Sequence, residues 1–336
     1  MKVLVTGATG FIGANLVRQL LARGDEVHCV IRKPRKAIEG LDLHLHKVPL
    51  ADDPESVEGL ARAMDGCEAV YHVAGLFDPS PGGIARMRAV HVFGLRGLLR
   101  AADKVGIRRM VVCSSSITVG FGPRTAPGNE DTPLDAERVY GPHGTALRAY
   151  HDTKVQAERM AAGWGSVDTV VVNPDYIVGA WDIKPTSGQL LVSISKSPWV
   201  PVFPRGGKCF MDADDCALGH ILAFEKGRSG RRYLLGAHNL SYREFMAMCA
   251  EALGKPVPRF PVPRLAIDLA GRVGGVLHAQ NPHRFAGLDP RVLVAMQEER
   301  YRTARRAVDE LGVPQNDIAG AVDKAVRWFR VHGYIQ

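Results

Sequence analysis

Eight residues near the start, Thr6-Gly7-Ala8-Thr9-Gly10-Phe11-Ile12-Gly13, separate a short apolar run, 2–6, from a helical pattern, 11–23. This spacing constrains the fold more than any other feature of the chain. Gly7 permits a tight turn, Gly10 lets backbone approach a pyrophosphate, and Gly13 lets the helix pack close on the strand. The helix start then offers unpaired N–H groups to phosphate oxygens. With a strand before it and a helix after it, the turn predicts a dinucleotide site at Gly7, Thr9, Gly10, Phe11, Ile12 and Gly13.

The alternation continues. Apolar runs at 26–31, 43–48, 69–73, 110–114 and 169–173 read as strands, with helical spacing over 54–64, 84–105 and 147–162. Strand and helix in this rhythm predict an α/β fold, a Rossmann-type doubly wound parallel sheet covered on both faces. After Pro174 prolines and glycines become frequent. Helices are expected over 214–226, 241–253 and 318–330, with a strand at 232–235. Ser241 followed by Glu244 is a capping signal. We read residues 1–174 as the nucleotide domain, with 209–226 returning to it. Residues 175–336 are mainly a smaller, mostly helical substrate lobe.

Which dinucleotide binds is decided after the second strand. NAD enzymes place a carboxylate there for the ribose hydroxyls. Here the strand runs into Arg32-Lys33-Pro34-Arg35-Lys36, with no acid. A guanidinium holds a 2′-phosphate with two parallel bonds. The expectation is NADP(H), with Arg32 as main contact and Lys36 or Arg35 second; NAD(H) is the weaker alternative.

Tyr150 and Lys154 stand four apart in a helical stretch and so share a face. A nearby ammonium and an oxidised nicotinamide would stabilise phenolate and lower the tyrosine pKa. A strand ends at Ser114-Ser115-Ser116, where ligands of open parallel sheets bind. A serine there can donate to a carbonyl becoming an alkoxide.

These segments together resemble the extended short-chain dehydrogenase/reductases, and within them the dihydroflavonol reductase-like group. Bacterial hopanoid-associated sugar epimerases are similar. Further matching segments are His72-Val73-Ala74-Gly75, Asn173-Pro174 followed by Gly179, Asp182-Ile183-Lys184-Pro185-Thr186 and Asp215-Cys216-Ala217-Leu218-Gly219-His220. The resemblance implies Tyr150 as acid–base group and Lys154 as the residue holding the nicotinamide ribose. It implies Ser116 at the substrate carbonyl, with Ser115 as fallback. Val73, Ala74 and Gly75 would pass beneath the cofactor, and Pro174 and Ile177 would meet the carboxamide.

The chain also departs from the family. His91 replaces an asparagine, and Val48-Pro49-Leu50 replaces Gly-Asp-Leu, leaving Leu50 to pack at the adenine. Lys208 stands for an arginine of sugar-nucleotide enzymes and lacks its planar fork.

Phe77, Phe121, Tyr176 and Trp181 follow motif segments and are candidates for an apolar substrate pocket, with core packing as the even alternative. His44 and His46 alternate on a strand but show no further ligand, so no metal is expected. Cys113 reads as a small core residue, Asp215 as a helix cap or buttress, and Arg302, Arg305 and Arg306 as a solvated helix face. Six scattered cysteines argue against a disulfide framework and for a reducing, cytoplasmic setting. With a strand pattern directly after Met1, no signal peptide is expected. No run reaches the roughly 20 apolar residues of a membrane span; 265–279 reads as an amphipathic helix. The net charge of +8 suits an anionic ligand without requiring nucleic acid.

The chain is therefore expected to be an NADPH-dependent reductase of a ketone or aldehyde, or the reverse alcohol dehydrogenase. Its partners would be a small carbonyl or alcohol substrate and a second copy of itself. A sugar epimerase and a non-catalytic NADP-binding scaffold are the alternatives.

Overall fold

A computed structural model describes residues 1–33, 36–197, 202–263, 266, 269 and 294–336. Thirteen strands are described. They are β1 (Lys2–Thr6), β2 (Glu26–Val30), β3 (His44–His46), β4 (Ala69–His72), β5 (Arg109–Cys113), β6 (Asp168–Pro174), β7 (Tyr176–Val178), β8 (Val202–Phe203), β9 (Gly207–Asp212), β10 (Arg232–Leu235), β11 (His238–Ser241), β12 (Phe260–Pro261) and β13 (Glu299–Arg300). The helices are α1 (Phe11–Ala22), α2 (Pro54–Met64), α3 (Gly83–Arg88), α4 (Gly94–Val105), α5 (Ala136–Tyr140), α6 (Ala146–Ala162), α7 (Gln189–Lys196), α8 (Ala213–Lys226), α9 (Tyr242–Ala252), α10 (Arg305–Leu311) and α11 (Ile318–Val331).

Seven strands form one sheet in the order β10-β6-β5-β4-β1-β2-β3, every neighbouring pair parallel. The order reverses between β1 and β4, and a ligand crevice opens at such a switch point, outside the carboxyl ends of the strands. Alternation along each strand feeds two cores. Val3, Val5, Tyr71 and Val111 face α1, α8 and α10; Leu4, Val70, Met110 and Val112 face α2, α4 and α6. Helix starts are capped where the sequence supplies a short acceptor: Asp53 accepts from Ser56 N at 2.9 Å, Asp212 from Asp214 N at 2.9 Å, and Ser241 with Glu244 completes a capping box. Asp215 is a buttress, accepting from the backbone and side-chain nitrogens of Asn316.

The smaller lobe carries a sheet that its helical reading did not anticipate. β9 is central, with β11 antiparallel on one edge and β7 and β13 parallel on the other. α7, α9 and α11 close a core around Phe210, Phe245 and Phe329. β8 pairs with β12.

Three expectations are corrected. The single helix over 84–105 is broken by a π turn, Ala89–Phe93, between α3 and α4. Such turns are rare and cluster at functional sites; this one carries His91 into the interior, 2% exposed. The strand expected over 43–48 shrinks to β3, three residues on the sheet edge. Arg302, Arg305 and Arg306 share no solvated face. Arg302 is 2% exposed and precedes α10; Arg305 is exposed and pairs with Asp309, and Arg306 pairs with Asp131. The helix expected over 265–279 lies outside the described residues apart from 266 and 269.

Candidate active site

The turn after β1 is built as its glycines require. Gly7 has φ +78°, and a Cβ there would meet Ala74 N at 2.6 Å. A Cβ on Gly13 would lie 2.1 Å from Gly7 O. Any side chain at either position would push α1 off the strand or close the crevice. Gly10 opens α1 without a side-chain cap, and no acid lies in the first turn. The first N–H groups of α1 are thus left for an outside acceptor, at the positive end of the helix. The loop after β4 is stitched alongside: Ala74 N donates to Thr6 Oγ1 at 3.3 Å, and His72 Nδ1 lies 2.8 Å from the same oxygen. Val73, Ala74 and Gly75 form the facing wall, with Gly75 exposed. Small residues, an uncapped helix start and open backbone fit a pyrophosphate.

At the end of β2 the chain turns from buried Ile31 to exposed Arg32 and Lys33, and Lys36 is also exposed. Arg35 lies outside the described residues. Arg18 on α1 reaches the same loop, donating to Ala37 O at 2.8 Å. Leu50 packs against the start of α4 at Gly94.

α6 brings Tyr150 and Lys154 to the switch point. Lys154 is 5% exposed, and its Nζ donates to Cys113 O at 3.0 Å. Burial pulls its pKa below the ordinary lysine value, against opposing pulls from Cys113 and Glu158. A Cβ on Gly75 would stand 3.4 Å from that nitrogen, so Lys154 faces the β4 loop directly. Tyr150 is pushed up to about 12, by burial first and the neighbouring Cys113 second; a hydrogen bond with Ser115 works the other way. The lowered tyrosine pKa expected from the sequence is therefore not a property of the protein alone. Desolvation of the phenolate outweighs the pull of the site's hydrogen bonds until a cationic partner is bound. Cys113 is buried, its thiol pushed up to about 11, as suits an inert core residue.

Ser115, rather than Ser116, is the serine whose side chain acts on the Tyr150 phenol, pulling its pKa down against burial. Its Oγ also accepts from Ile117 N at 3.3 Å, which aims it. Ser116 is buried at the start of a short 3₁₀ turn, Ser116–Thr118. Ser114 donates to Glu158 Oε1 at 2.5 Å. Three consecutive residues leaving a strand point three ways, which spacing alone cannot resolve.

His91 is the residue whose part the sequence left open. Leu76 N donates to its Nε2 at 3.1 Å, so that nitrogen is the acceptor and Nδ1 carries the proton. Nδ1 lies 2.9 Å from Thr153 Oγ1, which donates on to Ala149 O at 2.8 Å. Burial, with Lys154 nearby, drops its pKa to about 2, so it is neutral. His91 and Phe77 both meet the Tyr150 ring edge-on, at 5.5 Å and 5.6 Å between centroids. Phe77 is 46% exposed, on the solvent side of this cluster.

The other aromatic candidates lie apart from this cluster. Tyr176 donates to Ser187 O at 2.7 Å and packs on Phe210 and Phe245 in the lobe core. Trp181 is covered by the Arg18 guanidinium at 3.3 Å and by Trp328. Both take the core-packing alternative. Phe121 lies under Arg300 and Arg302, at 4.9 Å and 5.5 Å. Pro174 ends β6 and Ile177 is buried in β7, packed in the core shared with α1 and α8.

Residues 3–236 match the NAD dependent epimerase/dehydratase family. The chain belongs to that family. It is an NAD(P)-dependent oxidoreductase of the extended short-chain dehydrogenase/reductase type. A Synechocystis protein provisionally named a dihydroflavonol 4-reductase is 32% identical over 342 residues, covering 99% of this chain and 95% of the relative. Sterol demethylase protein B of Methylococcus capsulatus is 30% identical over 339 residues, covering all of both chains. Among solved structures, gox2253 superposes with a TM-score of 0.82 at 28% identity, covering 99% of each chain. Among the described residues no helix is long and apolar enough to cross a membrane.

Proposed function

We propose that this family member is an NADPH-dependent reductase of a ketone or aldehyde on a small apolar or aromatic substrate, working equally as the reverse alcohol dehydrogenase. One observation carries the chemistry: a tyrosine at the switch point, beside Ser115 and met edge-on by His91 and Phe77, one helical turn from a buried lysine. Bound nicotinamide supplies the hydride. The chain's own residues do the rest. Tyr150 gives its proton to the carbonyl oxygen, and Ser115, placed here ahead of Ser116, donates a hydrogen bond to that oxygen. Lys154 holds the ribose hydroxyls and stabilises the phenolate left behind.

NADPH rather than NADH is favoured by exposed Arg32 and Lys36 where a ribose-binding acid would otherwise stand. The substrate class rests on exposed Phe77 beside the Tyr150 ring, and on two relatives whose names denote fused, hydrophobic ring compounds.

The rival reading, a nucleotide-sugar epimerase, draws on a cationic cluster: Lys208, Arg300 and Arg302. Both guanidinium forks are already engaged. Arg302 binds Asp175 at 2.7 Å and the carbonyls of Val119 and Gly120, and Arg300 binds Glu298 at 2.8 Å. That leaves only the point charge of Lys208 for a diphosphate. The test is a screen of ketones and aldehydes for NADPH consumption, with assay of cofactor in the purified protein. We expect nearly cofactor-free protein and stoichiometric NADPH oxidation. Protein that arrives loaded with NAD and interconverts sugar epimers unaided would establish the rival.

A further inference from the structure

The free edge of the large sheet carries a cluster that the reductase reading does not use. β2 and β3 pair in parallel, with His28 opposite His44 and Val30 opposite His46. Alternation therefore brings His28, His44 and His46 to one face, and Glu26, two residues before His28, joins them. Glu26 Oε1 lies 2.7 Å from His28 Nε2 and 3.8 Å from His44 Nε2. One donor atom from each of Glu26, His28 and His44 falls within 4.8 Å of the others. The His28 and His44 rings are stacked, 17° apart with centroids at 4.5 Å, and the Nε2 atoms of both lie within 4 Å of Glu26 Oε1.

We propose that Glu26, His28 and His44 form a binding site for a divalent transition-metal ion of the zinc class, with His46 orienting His28. Tetrahedral zinc bonds of about 2.0–2.1 Å place ligand atoms about 3.4 Å apart, and the two separations to Glu26 straddle that value. Small side-chain rotations close the set. Two imidazoles and one carboxylate suit zinc, nickel or copper; calcium and magnesium take oxygen donors. The Glu26 and His44 side chains are 51% and 57% exposed, which leaves a fourth position for water. His28 Nδ1 lies 2.8 Å from His46 Nε2; when an ion takes the place of the Nε2 proton that now faces Glu26, the remaining Nδ1–H can donate to His46 and hold the ring in orientation.

The site is remote from the cofactor turn. Glu26 opens β2 and Arg32 follows its end, six residues on, or about 20 Å at strand spacing. Its effect is structural: the ion clips a three-residue edge strand onto its neighbour. An exposed edge otherwise holds only by its few ladder bonds.

Tag-free full-length protein titrated with zinc chloride in a calorimeter tests this, with the thermal midpoint as second readout. Wild type should take up one zinc per chain and melt higher with zinc present. His44→Ala and Glu26→Gln, both at exposed positions, should each lose at least tenfold in affinity and the thermal gain. His46→Ala should lose about tenfold. Unchanged affinity and stoichiometry in both His44→Ala and Glu26→Gln would overturn the site, as would no saturable binding by wild type up to about 1 mM zinc.

Discussion

Two buried cations, one in each half of the molecule, are treated in opposite ways. Arg302, which locks the lobe to the loop after β5, makes bonds to the Asp175 carboxylate and to the carbonyls of Val119 and Gly120. Its charge is matched and its fork filled. Lys154, in the nucleotide half, has three N–H donors and, among the described residues, one bond, to Cys113 O. Burial costs are met by the protein itself in the first case and left largely unmet in the second. On the proposed reading, the difference separates a residue that stabilises the fold from one kept ready for the cofactor.

The contrast breaks most readily at Tyr150. Tyr150→Phe should lower kcat by about 10²–10⁴-fold while the NADPH dissociation constant stays within about twofold. Steady-state rates and fluorescence titration check this. A variant keeping more than about a tenth of the wild-type rate would show that the proton comes from elsewhere.

Stability should divide the two cations next. Arg302→Met strands Asp175, 2% exposed in its side chain, and should cost about 3–5 kcal/mol in urea unfolding. Adding Asp175→Leu should recover part of it. Lys154→Met should cost less than about 1.5 kcal/mol, since it removes a buried charge with one hydrogen bond, yet abolish turnover. Equal stability losses would erase the distinction.

Lys208 sharpens the comparison because it belongs to the lobe but resembles Lys154. The one carboxylate that acts on it, Asp175, is bonded to Arg302, and among the described residues no hydrogen bond or ion pair of the Lys208 ammonium is found. Burial pushes its pKa down from 10.5 to about 8, and Arg302 and Arg300 add repulsion against the pull of Asp175. Below pH 8 folded and unfolded chains both hold the proton, and the folded state bears the full burial cost. Between pH 8 and 10.5 the unfolded chain binds more protons than the folded one, so this contribution to stability rises with pH. Lys208→Met should thus stabilise the protein at pH 7 by on the order of 1–3 kcal/mol, and by less at pH 10. Urea midpoints at both pH values provide the measurement; a gain that grows with pH would contradict the assignment.

The smallest effect concerns cofactor choice. Wild type should prefer NADPH to NADH by about tenfold, near 1.4 kcal/mol, and Arg32→Ala should remove most of that preference. Titration of both reduced cofactors decides it, and tighter NADH binding by wild type would refute the basic-loop reading.

Much of the nucleotide half was legible because its signals are local. The turn at Gly7 and Gly13 follows from backbone sterics within a few residues, and Tyr150 and Lys154 share a helix face by the 3.6-residue period. Strand 232–235 was legible as a strand, but its place beside β6 at the sheet edge was not, because pairing partners lie far apart in sequence. The placing of Ser115, rather than Ser116, next to Tyr150 escaped for a different reason. The chain leaves β5 and enters a 3₁₀ turn there, so neither the two-residue nor the 3.6-residue period applies. Tyr176 and Trp181 stood evenly between pocket and core on their position after motif segments, and their rings pack in the lobe core.

By itself the sequence determined the alternation of strands and helices, the parallel sheet, the glycine turn and the tyrosine–lysine pair, all encoded in short-range periodicity and sterics. Tertiary structure alone decided the rest. It inverted Arg302 from surface to core and turned His91 inward through a π turn. It set Ser115 rather than Ser116 beside Tyr150, and it gathered Glu26, His28 and His44 from two strands. Each of these depends on which distant segment packs against a residue, and burial and partner, not residue type, then set its charge, tautomer and role.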